Sequence, residues 1–194
     1  IPINGGETLS EIYEGIRERL PFVPVCARVN NKAEDLAFPV FTPKQVEFLP
    51  YESPSGHRCY IRSLCMVLYR AVERTYPGTQ LIISHSVSRG YYCRLEGLHI
   101  DEGVCARIKA EMRSITDRDI PFERKERLTK DVIEIMRAQG FHEKVKLLET
   151  LHELYTVYYR LDGICDTYNG NLVPRTGMLK VFDLIPYEEG LLLL

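Results

Sequence analysis

A chain of 194 residues with 45% hydrophobic and 27% charged residues has the composition of an ordinary globular protein, and suits one large domain or two small ones. A net charge of −2 gives no general electrostatic case for binding nucleic acid or a membrane surface. No apolar run approaches the roughly 20 residues of a membrane span, and the opening residues show no signal-peptide pattern. The sequence starts on Ile1 and ends on four leucines, residues 191–194. Both features suggest a fragment, because terminal leucines with nothing to cover them expose apolar surface. The six cysteines, Cys26, Cys59, Cys65, Cys93, Cys105 and Cys165, form no CxxC pair and match no common zinc spacing. They read as reduced, largely buried thiols in a cytoplasmic protein.

Residues 1–3 are extended and lead to an Asn-Gly-Gly turn. Thr8-Leu9-Ser10-Glu11 is a capping box, and Leu9, Ile12, Tyr13 and Ile16 fall on one helical face that Pro21 ends. Residues 23–30 read as a strand followed by a turn at Asn30 and Asn31. Residues 34–38 and 45–48 are further short strands. Residues 49–56 (LPYESPSG) form the best domain boundary. A long helix follows, with Tyr60, Leu64, Val67, Leu68, Ala71 and Val72 as its stripe, and Pro77-Gly78 stops it.

Residues 80–84 and 87–95 are strands, with Gly90 in a turn or bulge. Asp101 caps a helix whose apolar face is Val104, Ile108, Met112 and Ile115. Pro121 begins a strand. Thr129 caps a helix closed by Gly140, and residues 142–155 form another. Residues 156–161, 163–166 and 178–184 look like strands of one antiparallel sheet. The whole is α+β, a small β-grasp-like module lacking its first strand followed by a unit with helices laid on a sheet.

Little in the chain carries chemistry by motif alone. No Walker loop and no GxGxxG is present. No two of His57, His85, His99, His142 and His152 share a helix face at ligand spacing. Residues 83–92 (ISHSVSRGYY) set His85 among Ser86, Ser88, Arg89 and Tyr92. This is either a polar site, with Arg89 suited to carboxylate or phosphate, or a turn cap. Residues 161–177 hold Asp162, Cys165, Asp166, Asn169, Asn171 and three glycines. They read either as a ligand loop or as tight turns between strands. The basic residues between positions 107 and 130 alternate with acidic ones, as on a solvated face.

Residues 1–52 resemble a TGS domain, the β-grasp module of threonyl-tRNA synthetase and some GTPases. Residues 53–188 resemble the second additional domain of threonyl- and alanyl-tRNA synthetases, the editing fold. The likeness rests on Ile120-Pro121-Phe122-Glu123-Arg124, residues 144–148 and, above all, Asp166…Gly170…Val173-Pro174-Arg175-Thr176-Gly177. That family's editing chemistry rests on an HxxxH and a CxxxH. The matching positions here are Arg62, Met66, Tyr168 and Leu172, so the ligand set is degenerate, and the resemblance does not carry editing hydrolysis or a metal over to this chain.

The segments ISHSVSRGYYC, YRLDGICDTYNGNLVPRTG and LKVFDLIPYEEGLLL resemble the bacterial uridine kinase-like group more closely than a synthetase; in that group a synthetase-like region precedes a P-loop kinase domain. That resemblance implies a non-catalytic ligand-binding or regulatory region of a nucleoside kinase. It implies that residues 189–194 begin a linker to the kinase domain as partner. ATP and Mg²⁺ would serve that domain, with no cofactor in this chain. The ligand would be a small molecule or nucleotide, held by His85, Ser86, Ser88, Arg89, Tyr92, Asp166, Asn169, Asn171 and Arg175. The alternative is an aminoacyl-tRNA editing domain or tRNA-binding module of a threonyl-tRNA synthetase-like protein. Nucleic acid is the less favoured partner, and no membrane partner is expected.

Overall fold

The computed structural model describes residues 1–88 and 90–194, so Arg89 and any role for it lie outside the described residues. Strand β1 (Glu7–Thr8) enters helix α1 (Leu9–Glu14) through the expected capping box. Thr8 Oγ1 accepts from the Glu11 N–H at 3.3 Å and Glu11 Oε2 accepts from the Thr8 N–H at 2.7 Å. Leu9 and Tyr13 are buried. The helix ends at Gly15, well before Pro21, and a 3₁₀ turn (Arg17–Arg19) follows.

Strands β2 (Cys26–Val29) and β3 (Lys32–Glu34) pair as a hairpin. Its turn residues Asn30 and Asn31 both have positive φ, 47° and 70°, as a tight two-residue hairpin loop requires. The strand expected over 34–38 is displaced toward the N-terminus. Asp35 bends the chain there, its side chain accepting from the Ala37 N–H and its carbonyl from the Phe38 N–H. β4 (Pro39–Val40) pairs with β1, and β5 (Val46–Leu49) with β2.

Helix α2 (Pro54–Thr75) starts on Ser53, whose Oγ accepts from the Gly56 N–H at 3.0 Å, with Pro54 in the first turn. It stops just before Pro77-Gly78, and its predicted apolar stripe is buried throughout. β6 (Leu81–Val87) and β7 (Gly90–Leu95) form a hairpin with an irregularity between Ile83 and His85 that leaves Ser84 as the extra residue.

Helix α3 (Glu102–Asp117) is capped by Asp101, which accepts from the Val104 N–H at 2.7 Å. β8 (Glu123–Leu128) leads into α4 (Thr129–Ala138). Thr129 does not cap α4: it is the first helical residue, and its hydroxyl pairs with that of Thr156 at 2.9 Å. Helix α5 (His142–Leu151) ends at His152 and not at 155. The Leu154 carbonyl already accepts from the Thr129 N–H, and Tyr155 is paired with Leu128. β9 (Tyr155–Leu161) and β10 (Ile164–Asp166) are joined by Asp162 and Gly163, both at positive φ. After a 3₁₀ turn (Thr176–Met178) come β11 (Leu184–Tyr187) and β12 (Gly190–Leu193).

The fold is α+β with antiparallel pairing throughout the described strands. It divides into two units, Ile1–Arg62 with Pro121–Pro174, and Ser63–Ile120 with Arg175–Leu194. The first unit carries the sheets β3-β2-β5, β1-β4 and β10-β9-β8. One core cluster gathers Leu9, Ala27, Val29, Leu36 and Val40, and another Val132, Met136, Val145, Leu148 and Tyr158.

The second unit carries the sheet β11-β12-β7-β6, with α3 packed on β11. The strands expected to share one sheet near the C-terminus therefore fall in two sheets, and residues 178–183 are not a strand. Arg113 holds that stretch instead, donating to the carbonyls of Lys180 and Phe182. The terminal leucines correct another expectation. Leu191, Leu192 and Leu193 are buried because β12 is a central strand between β11 and β7. Gly90 opens β7 and forms neither turn nor bulge. A Cβ there would come within 2.6 Å of the Leu193 carbonyl oxygen, so the close approach of β12 excludes a side chain.

Candidate functional site

In the first unit the beginning of α2 lays Ser55, Arg58, Cys59 and Arg62 along one cavity of about 120 Å³. Their spacing of three, four and seven residues places them on one helical face. Cys26 of β2, Ala33 of β3, and Gly170 and Asn171 complete the wall. Arg58 donates to Ser55 Oγ at 3.2 Å. The Arg62 guanidinium lies against Gly170, where a Cβ would sit 2.5 Å from Nη1 and 2.6 Å from Cζ. Gly170 has φ 128° and its N–H donates to the Tyr168 carbonyl at 2.9 Å. Glycine therefore serves twice here, admitting an unusual backbone and leaving room for the cation.

Asp166, at the end of β10, is buried and accepts a hydrogen bond from Lys144 of α5. Lys144 Nζ also donates to the Thr167 carbonyl at 3.2 Å, and lies 5.0 Å from the Tyr168 ring centre and 5.1 Å from that of Phe141. Thr167 N–H donates to Asp166 at 2.7 Å. These contacts fix the start of the 166–171 loop and leave Asn169 exposed and Asn171 half-buried.

The Cys59 S–H donates to the carbonyl of Val25, the neighbour of Cys26, at 3.6 Å, and both thiols line the cavity. The nearby Cys59 thiol holds the Cys26 thiol below its usual pKa, helped by the charges of Arg62, Arg58 and Arg28 and opposed by burial. The same proximity, with burial, pushes Cys59 well up. Elsewhere in this unit burial raises the pKa of Asp35, while the Tyr159 hydroxyl and the Arg124 charge pull it back.

The ligand candidates read from the sequence divide between the units. Asp166, Asn169 and Asn171 belong to the first; His85, Ser86, Ser88, Tyr92 and Arg175 belong to the second. His85 lies inside β6, exposed, with its ring centre 5.6 Å from that of Tyr92, which in turn contacts Tyr187. Ser86 is exposed on the same strand and Ser88 takes the hairpin turn at φ 53°. Arg175 is engaged by Asp119 through its Nε at 2.9 Å, while Thr176 and Gly177 bind the 115–120 backbone and the Asp119 carboxylate. Arg175, Thr176 and Gly177 thus brace the second unit.

Of the four positions that the resemblance matches to the family's ligands, Arg62 faces the cavity, Met66 and Leu172 are fully buried and Tyr168 lies over Lys144. A guanidinium has no lone pair to give and a leucine no donor atom, so this set does not fit a metal ion. Ser55, Arg58, Cys26, Cys59 and Lys144 were not singled out from the sequence as site residues. The i, i+3, i+4, i+7 pattern of the four on α2 was the one available signal.

No protein-family model matches the chain. It is similar to threonine–tRNA ligases: 30% identical over 185 residues to that of Rubrobacter xylanophilus, covering 95% of this chain and 29% of the ligase. The Desulforamulus reducens ligase is 30% identical over 182 residues, 93% of this chain and 29% of the ligase. The Acetivibrio thermocellus ligase is 26% identical over 186 residues, 94% of this chain and 29% of the ligase. The chain thus spans about 29% of the length of these curated relatives.

This similarity overturns the expectation of a regulatory region of a uridine kinase-like nucleoside kinase. The segments that suggested it are structural. ISHSV and GYYC are the paired strands β6 and β7, and the LIPYEEGLLL segment is the β11–β12 hairpin. Among the described residues, no helix is long and apolar enough to cross a membrane.

Proposed function

We propose that this chain is the part of a threonyl-tRNA synthetase-like protein that receives the 3′ end of tRNA, and that it binds this end without hydrolysing the aminoacyl ester. Residues 1–52 act as a TGS-like module and residues 53–188 as an editing-fold unit. The observation that carries the reading is the pair Arg58 and Arg62 on one wall of a cavity, with the Ser55 hydroxyl and the Asn171 amide beside them. Putting a guanidinium where the family has an imidazole exchanges a proton-accepting or metal-binding group for an anion-binding fork. Phosphate oxygens suit the arginines, and ribose hydroxyls suit Ser55 and Asn171. With a net charge of −2 the attraction is local, so few phosphates are engaged.

The test is the affinity of the purified chain for a threonine tRNA, by fluorescence anisotropy across a salt series. Arg62→Ala weakens binding by about 10- to 100-fold, in line with roughly 1.5–3 kcal/mol for a hydrogen bond to a charged group. It also lowers the salt slope by about 0.7 for each single-strand phosphate that the arginine no longer neutralises. Removing the single-stranded 3′ nucleotides abolishes the effect of the mutation. Equal affinity of wild type and Arg62→Ala overturns the site. Deacylation of serine-charged threonine tRNA proceeds at the spontaneous rate; a faster rate with the chain present overturns the non-hydrolytic reading.

A further inference from the structure

Two of the residues lining the arginine cavity are thiols, one from β2 and one from α2. Neither Cys26 nor Cys59 is in a disulfide, both are only 1% exposed, and the Cys59 S–H reaches the carbonyl of Val25, the neighbour of Cys26, at 3.6 Å. Reagents therefore reach them by way of the cavity. Its 120 Å³ far exceeds the roughly 10–15 Å³ that one water needs. A molecule as small as hydrogen peroxide is admitted, and bulky oxidants are kept out. We propose that Cys26 and Cys59 are a hydroperoxide-oxidised thiol pair, converted to a disulfide inside this cavity.

The chemistry balances as follows. The Cys26 thiolate attacks one peroxide oxygen and the O–O bond breaks. The departing hydroxide takes a proton and leaves as water. Cys26 is then a sulfenic acid, oxidised by two electrons while the peroxide is reduced. The Cys59 sulfur attacks the Cys26 sulfur, forming the S–S bond and expelling the sulfenic oxygen, which leaves with the Cys59 proton as a second water. One hydroperoxide is consumed for one disulfide.

Arg58 and Arg62 share the wall, and their charge favours the attacking thiolate. Other thiols are set differently. Burial pushes Cys93 up to about 12 and Cys105 up to about 11, and it raises Cys165 as well. Cys165 supplies the contrast, because it is half-buried and so more exposed than either member of the pair. If exposure governed oxidation, Cys165 would react first.

The experiment treats the fully reduced 194-residue chain with hydrogen peroxide, quenches it with catalase, alkylates free thiols, and maps tryptic peptides by mass spectrometry. The expected product joins residues 20–28 to residues 59–62, lighter by two hydrogen atoms than the separate peptides, while Cys165 is still alkylated. In Cys59→Ser the resolving thiol is missing, and dimedone captures Cys26 as the sulfenic acid. Oxidation of Cys165 ahead of the pair, or full alkylation of Cys26 and Cys59 after treatment, overturns the proposal. The wild-type map decides the matter even if the variant does not fold, and it does not depend on any tRNA affinity.

Discussion

The Tyr159 hydroxyl donates to Asp35 Oδ2 across 3.0 Å, joining residues 124 positions apart within the first unit. Arg124 Nε reaches the same oxygen at 3.2 Å. Both Asp35 and Tyr159 are buried, so the carboxylate depends on these donors for the solvation that it lost. Phe in place of Tyr159 keeps the ring and removes the donor. Tyr159→Phe is expected to lower stability by about 1–3 kcal/mol, the cost of leaving a buried acceptor short of a partner. Urea unfolding followed by circular dichroism measures it, and a change within error of zero would show that Arg124 and the Ala37 N–H suffice.

Asp35 also sets a pH dependence. Burial raises its folded pKa above the ordinary value of about 3.9, more than its partners lower it. The folded state therefore binds the proton more tightly than the unfolded chain. The stability due to that proton is fully present below the unfolded pKa and is lost as pH rises through the folded one. Asp35→Asn removes the titration, so the wild type must lose stability relative to Asp35→Asn as pH rises from about 4, and then level off. Unfolding curves of both proteins at several pH values test this, and a gap that changes in the opposite direction contradicts the assignment.

Gly170 and Arg62 are coupled by contact, since a Cβ at 170 would meet the guanidinium. Gly170→Ala must strain the backbone at φ 128° and displace the arginine. A loss of about 1–3 kcal/mol is expected from the backbone alone. In an Arg62→Ala background the steric part disappears, so the double-mutant cycle should give a coupling of about 0.5–3 kcal/mol. Strict additivity would mean that the guanidinium moves aside at no cost.

Much of the local structure was legible because it depends on neighbours in sequence. The Thr8-to-Glu11 capping box, the Asp101 cap, the stop at Pro77-Gly78 and the apolar stripe of α2 each follow from side chains within a few residues of the backbone they serve. Errors came where a distant partner outbid local preference. Thr129 looks like a cap and instead bonds Thr156. Residues 152–155 continue a helical pattern, but Tyr155 pairs with Leu128 of β8 and the Leu154 carbonyl accepts from the Thr129 N–H. The terminal leucines look unprotected, yet three of the four, Leu191, Leu192 and Leu193, are covered by β7 and β11 on either side of β12.

Sequence alone determined the α+β class, the apolar stripes of its helices and the absence of any CxxC pair among its six cysteines. These follow from side-chain chemistry and short-range periodicity, which a single chain displays in full. Only the tertiary structure brought Cys26 to Cys59 and set both beside Arg58, Arg62 and Asn171, because β2, α2 and the 166–171 loop are remote in sequence. It likewise showed that Arg175, attractive as an anion ligand, spends its charge on Asp119. A cavity exists where separated segments pack, and no periodicity within one segment records its neighbour across the fold.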